Sequence, residues 1–352
     1  MKIYFSTVAR YASNDKSGEI VLLDWDTKRI EARASLFPSD PSAFDPNPRG
    51  GSRGGRGIAL WRDGVIVATY ASLRLYDRDL TFQREISHPL MAGLHEVYHP
   101  GGDTLWVSAT AIDLALAVDL EGGQAVRDVW PRNVPAFQEP LGVTPSEIDP
   151  SADNRGHEHT LRHKTDRSHL HLNALGEWNG DLYGLFNRYA VIANLDRPDI
   201  VVRDLGDQTD GDRGLRGSHN LLIEQDGTVT VAGTFGRNVR VYDLAERRRK
   251  RVIKLTDFPW VARLARRYDR VYRVRKSLHA RAGVGSSPSR PLFVRGLDKV
   301  GDLLFVGVSP AAILAIDVVR GTLEDVFQYS KSVDVCVHGL RAVADGNGAA
   351  SA

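Results

Sequence analysis

The chain has 352 residues and a mass of 38.9 kDa, with 42% hydrophobic and 26% charged residues, a balance that excludes a wholly disordered protein. Lys and Arg outnumber Asp and Glu by 46 to 44, so the net charge of +2 does not by itself require an anionic partner. The single cysteine, Cys336, excludes an internal disulfide framework and an all-cysteine zinc site. No run approaches the roughly 20 apolar residues of a membrane span. The opening MKIYFSTVARYASND has neither the apolar core nor the cleavage site of a secretory signal, which points to a cytoplasmic protein with no membrane partner.

In chain order, a short strand pattern ending in Asp recurs: EIVLLD to Asp24, SLRLYD to Asp77, LALAVD to Asp119, VIANLD to Asp196, VRVYD to Asp243 and ILAID to Asp317. The spacings are 53, 42, 77, 47 and 74 residues. The shorter ones fit a four-stranded propeller blade, and the longer ones require insertions. Upstream of each Asp from Asp77 onward lies a second strand after a turn such as Asp63-Gly64, Asn179-Gly180 or Asp226-Gly227. A third strand enters further upstream at Arg56, His95, His171, His219 and Arg295, with 21 to 25 residues from entry to terminal Asp. The sixth copy is split. His338 opens its entry strand near the C-terminus, and residues 2–8 and 19–24 supply the next two strands from the N-terminus. The pattern predicts an all-β, six-bladed β-propeller over 1–345, closed by its terminal strands, since closure removes free sheet edges.

Four insertions, 37–55, 131–168, 197–218 and 256–292, fall between the outer strand of one blade and the inner strand of the next, which places them over one face. Within the last, Val261, Leu264, Tyr268, Val271 and Leu278 recur at helical spacing, predicting a basic helix near 257–282 capped by Thr256 or Asp257 and ended by Gly283. Residues 247–281 hold 14 Lys/Arg against Asp257 and Asp269. Such a stretch reads as a solvated helix face or as a surface for anions, with nucleic acid as one alternative. The tail 346–352 reads as disordered by composition.

The inner strands surround the axis, so Arg56, His95, His171, His219, Arg295 and His338 should converge there, with Glu96, Asn173 and Asn220 beside them. Four of the 11 histidines stand at one repeat position. His169, His171 and Asn173 are spaced to share one strand face. Neutral imidazoles are metal ligands and guanidiniums hold carboxylate or phosphate, so the expected centre is a divalent ion (Ca, Mg, Mn, Zn or Fe) on His95, His171, His219 and His338. Glu96 and His95 are the catalytic candidates. Arg56, Arg295, Asn173 and Asn220 would bind a small anionic substrate. The bland reading of the same residues is a structural plug of the channel. His157, Glu158, His159 and His163 fit no standard ligand spacing and read as a polar loop or a lid. Cys336, in VDVCV, reads as a buried small hydrophobe.

This repeat pattern resembles six-bladed propellers of the gluconolactonase/senescence-marker, NHL-repeat and streptogramin-lyase kind. The resemblance implies an axial pocket with a divalent cation and a hydrolase or lyase activity. Segments DRSHLHLNAL (166–175), GSHNLL (217–222) and FVRGL (293–297) are most similar to uncharacterised bacterial propellers, which carry no activity over. Unlike the lactonase type, no Glu begins the first blade, and His stands where acidic ligands belong. A four-His set also resembles the iron site of carotenoid-cleaving oxygenases, which are longer and seven-bladed. Three functions stay open: a metal-dependent hydrolase or lyase, a non-catalytic propeller recognising an acidic peptide, glycan or nucleic acid through 247–281, and a four-His iron oxygenase.

Overall fold

The recurring Asp caps a turn. In the computed structural model, which describes residues 1–37, 40, 54–207, 212–282 and 289–344, Asp77 Oδ1 accepts the backbone N–H of Asp79 (3.0 Å) and Thr81 (2.8 Å). Asp119 likewise accepts from Glu121 and Gly122, and Asp317 from Val319 and Arg320. Such a carboxylate satisfies the N–H groups left over where the third strand turns into a fourth. In the fourth blade this role shifts by two residues. Asn194 Oδ1 takes the N–H of Asp196 (3.0 Å) and Arg197 (2.9 Å), while Asp196 accepts that of Leu182 (2.7 Å).

The strands form six separate four-stranded antiparallel sheets, the six-bladed propeller the repeat predicts. Their inner strands are Val335–Val343, Ile58–Trp61, Leu94–Tyr98, Leu172–Trp178, His219–Ile223 and Arg295–Val300. The first blade joins both ends of the chain, with Val335–Val343 beside Lys2–Ala9, then Glu19–Asp24 and Arg29–Ser35. Middle strands such as Leu114–Asp119 are almost wholly buried, whereas outer strands such as Ala125–Val129 are exposed. The core therefore lies between blades. At the closing seam Phe5 packs edge-on against Tyr329 (centroids 5.2 Å) and Phe327 (6.3 Å), and Trp25 against Phe305 (5.2 Å).

The insertion over 131–168 carries two short helices, Pro135–Leu141 and His159–Thr165. The one placed at 197–218 begins later, because Asp199–Arg203 is the outer strand of its blade. The predicted basic helix is a 23-residue helix, Pro259–Arg281. Its start differs from expectation: Leu255–Asp257 form a 3-10 turn, Phe258 takes the N-cap position without a side-chain bond, and Pro259 opens the first turn, where its missing N–H costs nothing. Val261, Leu264, Ala265 and Tyr268 are buried against the propeller, while Val274 and Leu278, each 56% exposed, continue the stripe outside it. Gly283, the tail 346–352 and nearly all of 37–55 lie outside the described residues. Among the described residues no helix is long and apolar enough to cross a membrane.

Phe5 is fully buried at the seam that closes the ring. Phe5→Ala is expected to lower unfolding free energy by about 3–5 kcal/mol in urea titration; a change under about 1 kcal/mol would mean that the seam does not carry the closure.

Candidate functional site

Neighbouring blades are bonded where the inner strands begin. Gly57 N–H donates to the His95 carbonyl (2.9 Å), Ser108 Oγ to the Asn173 carbonyl (3.3 Å), Asn173 Nδ2 to the Ser218 carbonyl (2.8 Å), and Gly296 N–H to Asn220 Oδ1 (2.9 Å). Ser6 completes the circuit by accepting from Gly339 N–H (2.9 Å) and donating to the Arg56 carbonyl (2.6 Å). A Cβ on Gly339 would lie 2.0 Å from that carbonyl oxygen, so only glycine fits there. The outcome is convergence. Arg56, His95, His171, His219, Arg295 and His338, the six repeat-entry residues, all line one cavity of about 230 Å3. The His95 ring lies 5.8 Å from that of His171, 5.5 Å from His219 and 5.6 Å from His338.

The middle of this cluster is held by a guanidinium. Arg295 donates to Nε2 of His338 and to Nε2 of His219 (3.1 Å). Asn173 Nδ2 lies 2.6 Å from His219 Nδ1, so both ring nitrogens of His219 face donors, one more than a neutral imidazole can accept. Arg295 Nε is buried without a hydrogen-bond partner. Burial pulls its pKa down to about 9, which leaves it charged at neutral pH. Burial, then the charge of Arg295, holds His219 and His338 well below the usual imidazole range, so both are neutral. Arg10, which the repeat pattern does not single out, also lines the cavity. Arg10 and Arg295 each lie 4.6 Å from the centroid of Phe293. Val8, Asn187, Phe235, Phe293 and Cys336 also line it, the last in its expected buried strand.

Metal-compatible geometry occurs nearby, on a different set. Among the described residues, His163, His169 and His171 bring their ligand atoms within 4.8 Å of one another; of the four expected ligands only His171 belongs to this trio. Where His95, His219 and His338 meet, the guanidinium of Arg295 already supplies the positive charge. His163 comes from the helix His159–Thr165, the segment read as a loop or lid, and it reaches the cavity wall. His169 is fully buried. Its Nε2 lies 2.8 Å from the Thr110 carbonyl, which fixes the proton there and bares Nδ1. Nδ1 of His169 and of His163 are buried without hydrogen-bond partners. Burial, with His169 and Arg188 nearby, lowers the His163 pKa to about 4, and burial also lowers that of His171, so both are neutral and ligand-competent. Asp113 positions the segment by accepting the N–H of Leu170 (2.8 Å), His171 (2.7 Å) and Leu172 (3.2 Å), which holds His171 at φ +60°. That left-handed residue breaks strand alternation, so His169 and His171 meet while Asn173 turns behind His219.

Glu96, Asn173 and Asn220 do not line the His/Arg cavity, contrary to the roles expected of them in catalysis and substrate binding. Glu96 and Asn220 face a second cavity of about 240 Å3, together with Tyr98 and Arg341, and the two cavities share no lining residue. Glu96 Oε1 stands 3.7 Å behind His338 Nδ1. Burial, opposed by Arg295 and Arg56, raises its pKa to about 8. The native state therefore keeps a proton that the unfolded chain, with an ordinary value near 4.5, releases. Stability from this group is intact below pH 4.5, falls as pH rises towards 8, and is flat above that. Glu96→Gln removes the titration, so its advantage in Tm over the native protein should grow between these limits; a difference independent of pH would contradict a protonated Glu96.

No protein-family model matches the chain, and no curated protein matches it in sequence. Solved structures are similar to it in shape. A protein of unknown function from Bacteroides caccae superposes with a TM-score of 0.56 at 9% identity, over 96% of this chain and 97% of that one. The WD40 domain of Pan2 from Neurospora crassa gives a TM-score of 0.45 at 10% identity, over 90% of this chain and 77% of that one. At such identities the first likeness shows the propeller fold and nothing about chemistry.

Proposed function

We propose that the chain is a metal-dependent hydrolase or lyase whose substrate is a small organic anion held in the His/Arg cavity. One observation carries this reading: Arg10, Arg56 and Arg295 line the cavity and, among the described residues, no Asp or Glu does. The carboxyl group of Glu96, 3.7 Å from His338 Nδ1, lines the other cavity and is protonated below about pH 8. The buried guanidinium of Arg295, whose Nε has no hydrogen-bond partner, favours an anion because it supplies an acceptor in a low dielectric.

The trio His163, His169 and His171 fits a divalent ion through its clustered ring nitrogens, through the buried, unpartnered Nδ1 atoms of His163 and His169, and through the neutral rings of His163 and His171. Three imidazoles suit zinc or iron better than calcium or magnesium, which prefer oxygen. Such an ion, when bound, polarises a carbonyl or activates water. The chain's own residues do the rest. Arg10, Arg56 and Arg295 orient the anion. His219 and His338, neutral, accept hydrogen bonds from Arg295 at Nε2 and so hold its guanidinium in place beside the anion. Phe235 and Phe293 keep the wall apolar and limit water.

The non-catalytic reading draws on the helix Pro259–Arg281, where Arg266, Arg267 and Arg270 are exposed beside Val274 and Leu278. The two separate by mutation. Purified protein is expected to contain about one zinc or iron per chain, and His163→Ala, outside the blades, to lose most of it while keeping the native circular dichroism. Arg10→Ala is expected to weaken binding of malonate, by calorimetry, about tenfold, whereas neutralising Arg266, Arg267 and Arg270 leaves it unchanged. Metal retained in His163→Ala, or malonate binding indifferent to Arg10, would remove the proposal.

A further inference from the structure

The cavity wall continues outward as an alternation of guanidinium and phenyl groups. Arg10 and Arg295 each lie 4.6 Å from the Phe293 centroid. Phe293 meets Phe235 edge to face at 6.1 Å. Arg213 and Arg290, both exposed, lie 5.5 Å and 5.4 Å from the Phe235 centroid. Phe235 is 42% exposed and marks the mouth. Its ring lies where Gly217 permits: at φ +76° that glycine has no Cβ, and one would fall 2.1 Å from the ring.

None of these four arginines forms an ion pair among the described residues. Elsewhere in the same molecule guanidiniums are paired with carboxylates, as in Arg240–Asp212 (2.5 Å), Arg132–Asp166 (2.6 Å), Arg275–Asp334 (3.0 Å) and Arg249 with Asp204 and Asp212. Stacking on phenyl rings fixes a guanidinium in place without neutralising it, and leaves its in-plane N–H groups available. Four fixed like charges repel one another, and nothing in the wall offsets them. They are arranged as two pairs, one inside and one at the mouth, with apolar rings between.

We propose that the ligand carries two anionic groups joined by an apolar segment, the inner group held by Arg10 and Arg295, the outer by Arg213 and Arg290, and the segment lying along Phe235 and Phe293. This rests on the anion-binding reading of the cavity and narrows it to a substrate class, a dianion of the α,ω-dicarboxylate type. A single small anion would use the inner pair alone and leave the outer pair without a ligand.

Calorimetry on the full-length protein tests it with adipate and suberate against hexanoate as probes. The wild-type chain is expected to bind a dicarboxylate about tenfold or more tightly than hexanoate, with the excess falling as salt rises. The double variant Arg213→Ser/Arg290→Ser alters only exposed side chains, so its fold should be intact by thermal melting. It is expected to lose the preference while keeping the affinity for hexanoate within about twofold. Equal binding of the two probe types by the wild type, or a preference that survives in the double variant, overturns this inference and leaves the anion pocket standing. Binding of neither probe type overturns both.

Discussion

Pairing of Lys2–Ala9 with Val335–Val343 is the constraint on which everything else depends. It turns a row of sheets into a ring, and only a ring gives its inner strands a common axis. Residues as far apart in sequence as Arg56 and His338 then line the same 230 Å3. Ser6 and Gly339 tie the closure to the site directly. One hydroxyl bonds both the C-terminal strand and the carbonyl of Arg56, so loosening the seam and displacing a cavity arginine are one event.

The price of that convergence is electrostatic. A buried guanidinium is tolerable when a carboxylate meets it, as Asp212 meets Arg240, whose side chain is almost wholly buried. Around the axis the chain instead surrounds Arg295 with imidazoles and a carboxyl group that keeps its proton. Neutral neighbours soften the repulsion without cancelling it. A fold selected for stability alone would place an ionised carboxylate there, and among the described residues none lines the wall.

Architecture was legible in the sequence because each turn repeats the same chemistry: Asp at the end of the third strand caps the next turn, and that need recurs once per blade. The exception is instructive. In the fourth blade Asn194 does the capping, so counting by Asp196 places the repeat two residues late. The membership of the cavity was legible too, since entry residues converge by symmetry. What was hidden depends on departures from symmetry. His171 sits in a left-handed conformation held by Asp113, and strand alternation therefore gives no guide to where Asn173 points. His163 arrives from an insertion with no counterpart in other blades, and Arg10 lies just beyond a strand that the repeat does not use as an entry. Glu96 follows His95 directly, and adjacent residues of a strand face opposite ways, which accounts for its place behind His338.

The separation of the two cavities has a consequence for how each can be altered. A toroid invites the idea of a tunnel with a front and a back door, yet here the imidazole and guanidinium layer is a floor, with different side chains above and below it. Among the described residues no side chain lines both chambers. A substitution in the wall of one chamber therefore leaves the lining of the other as it was, and the two can be altered independently.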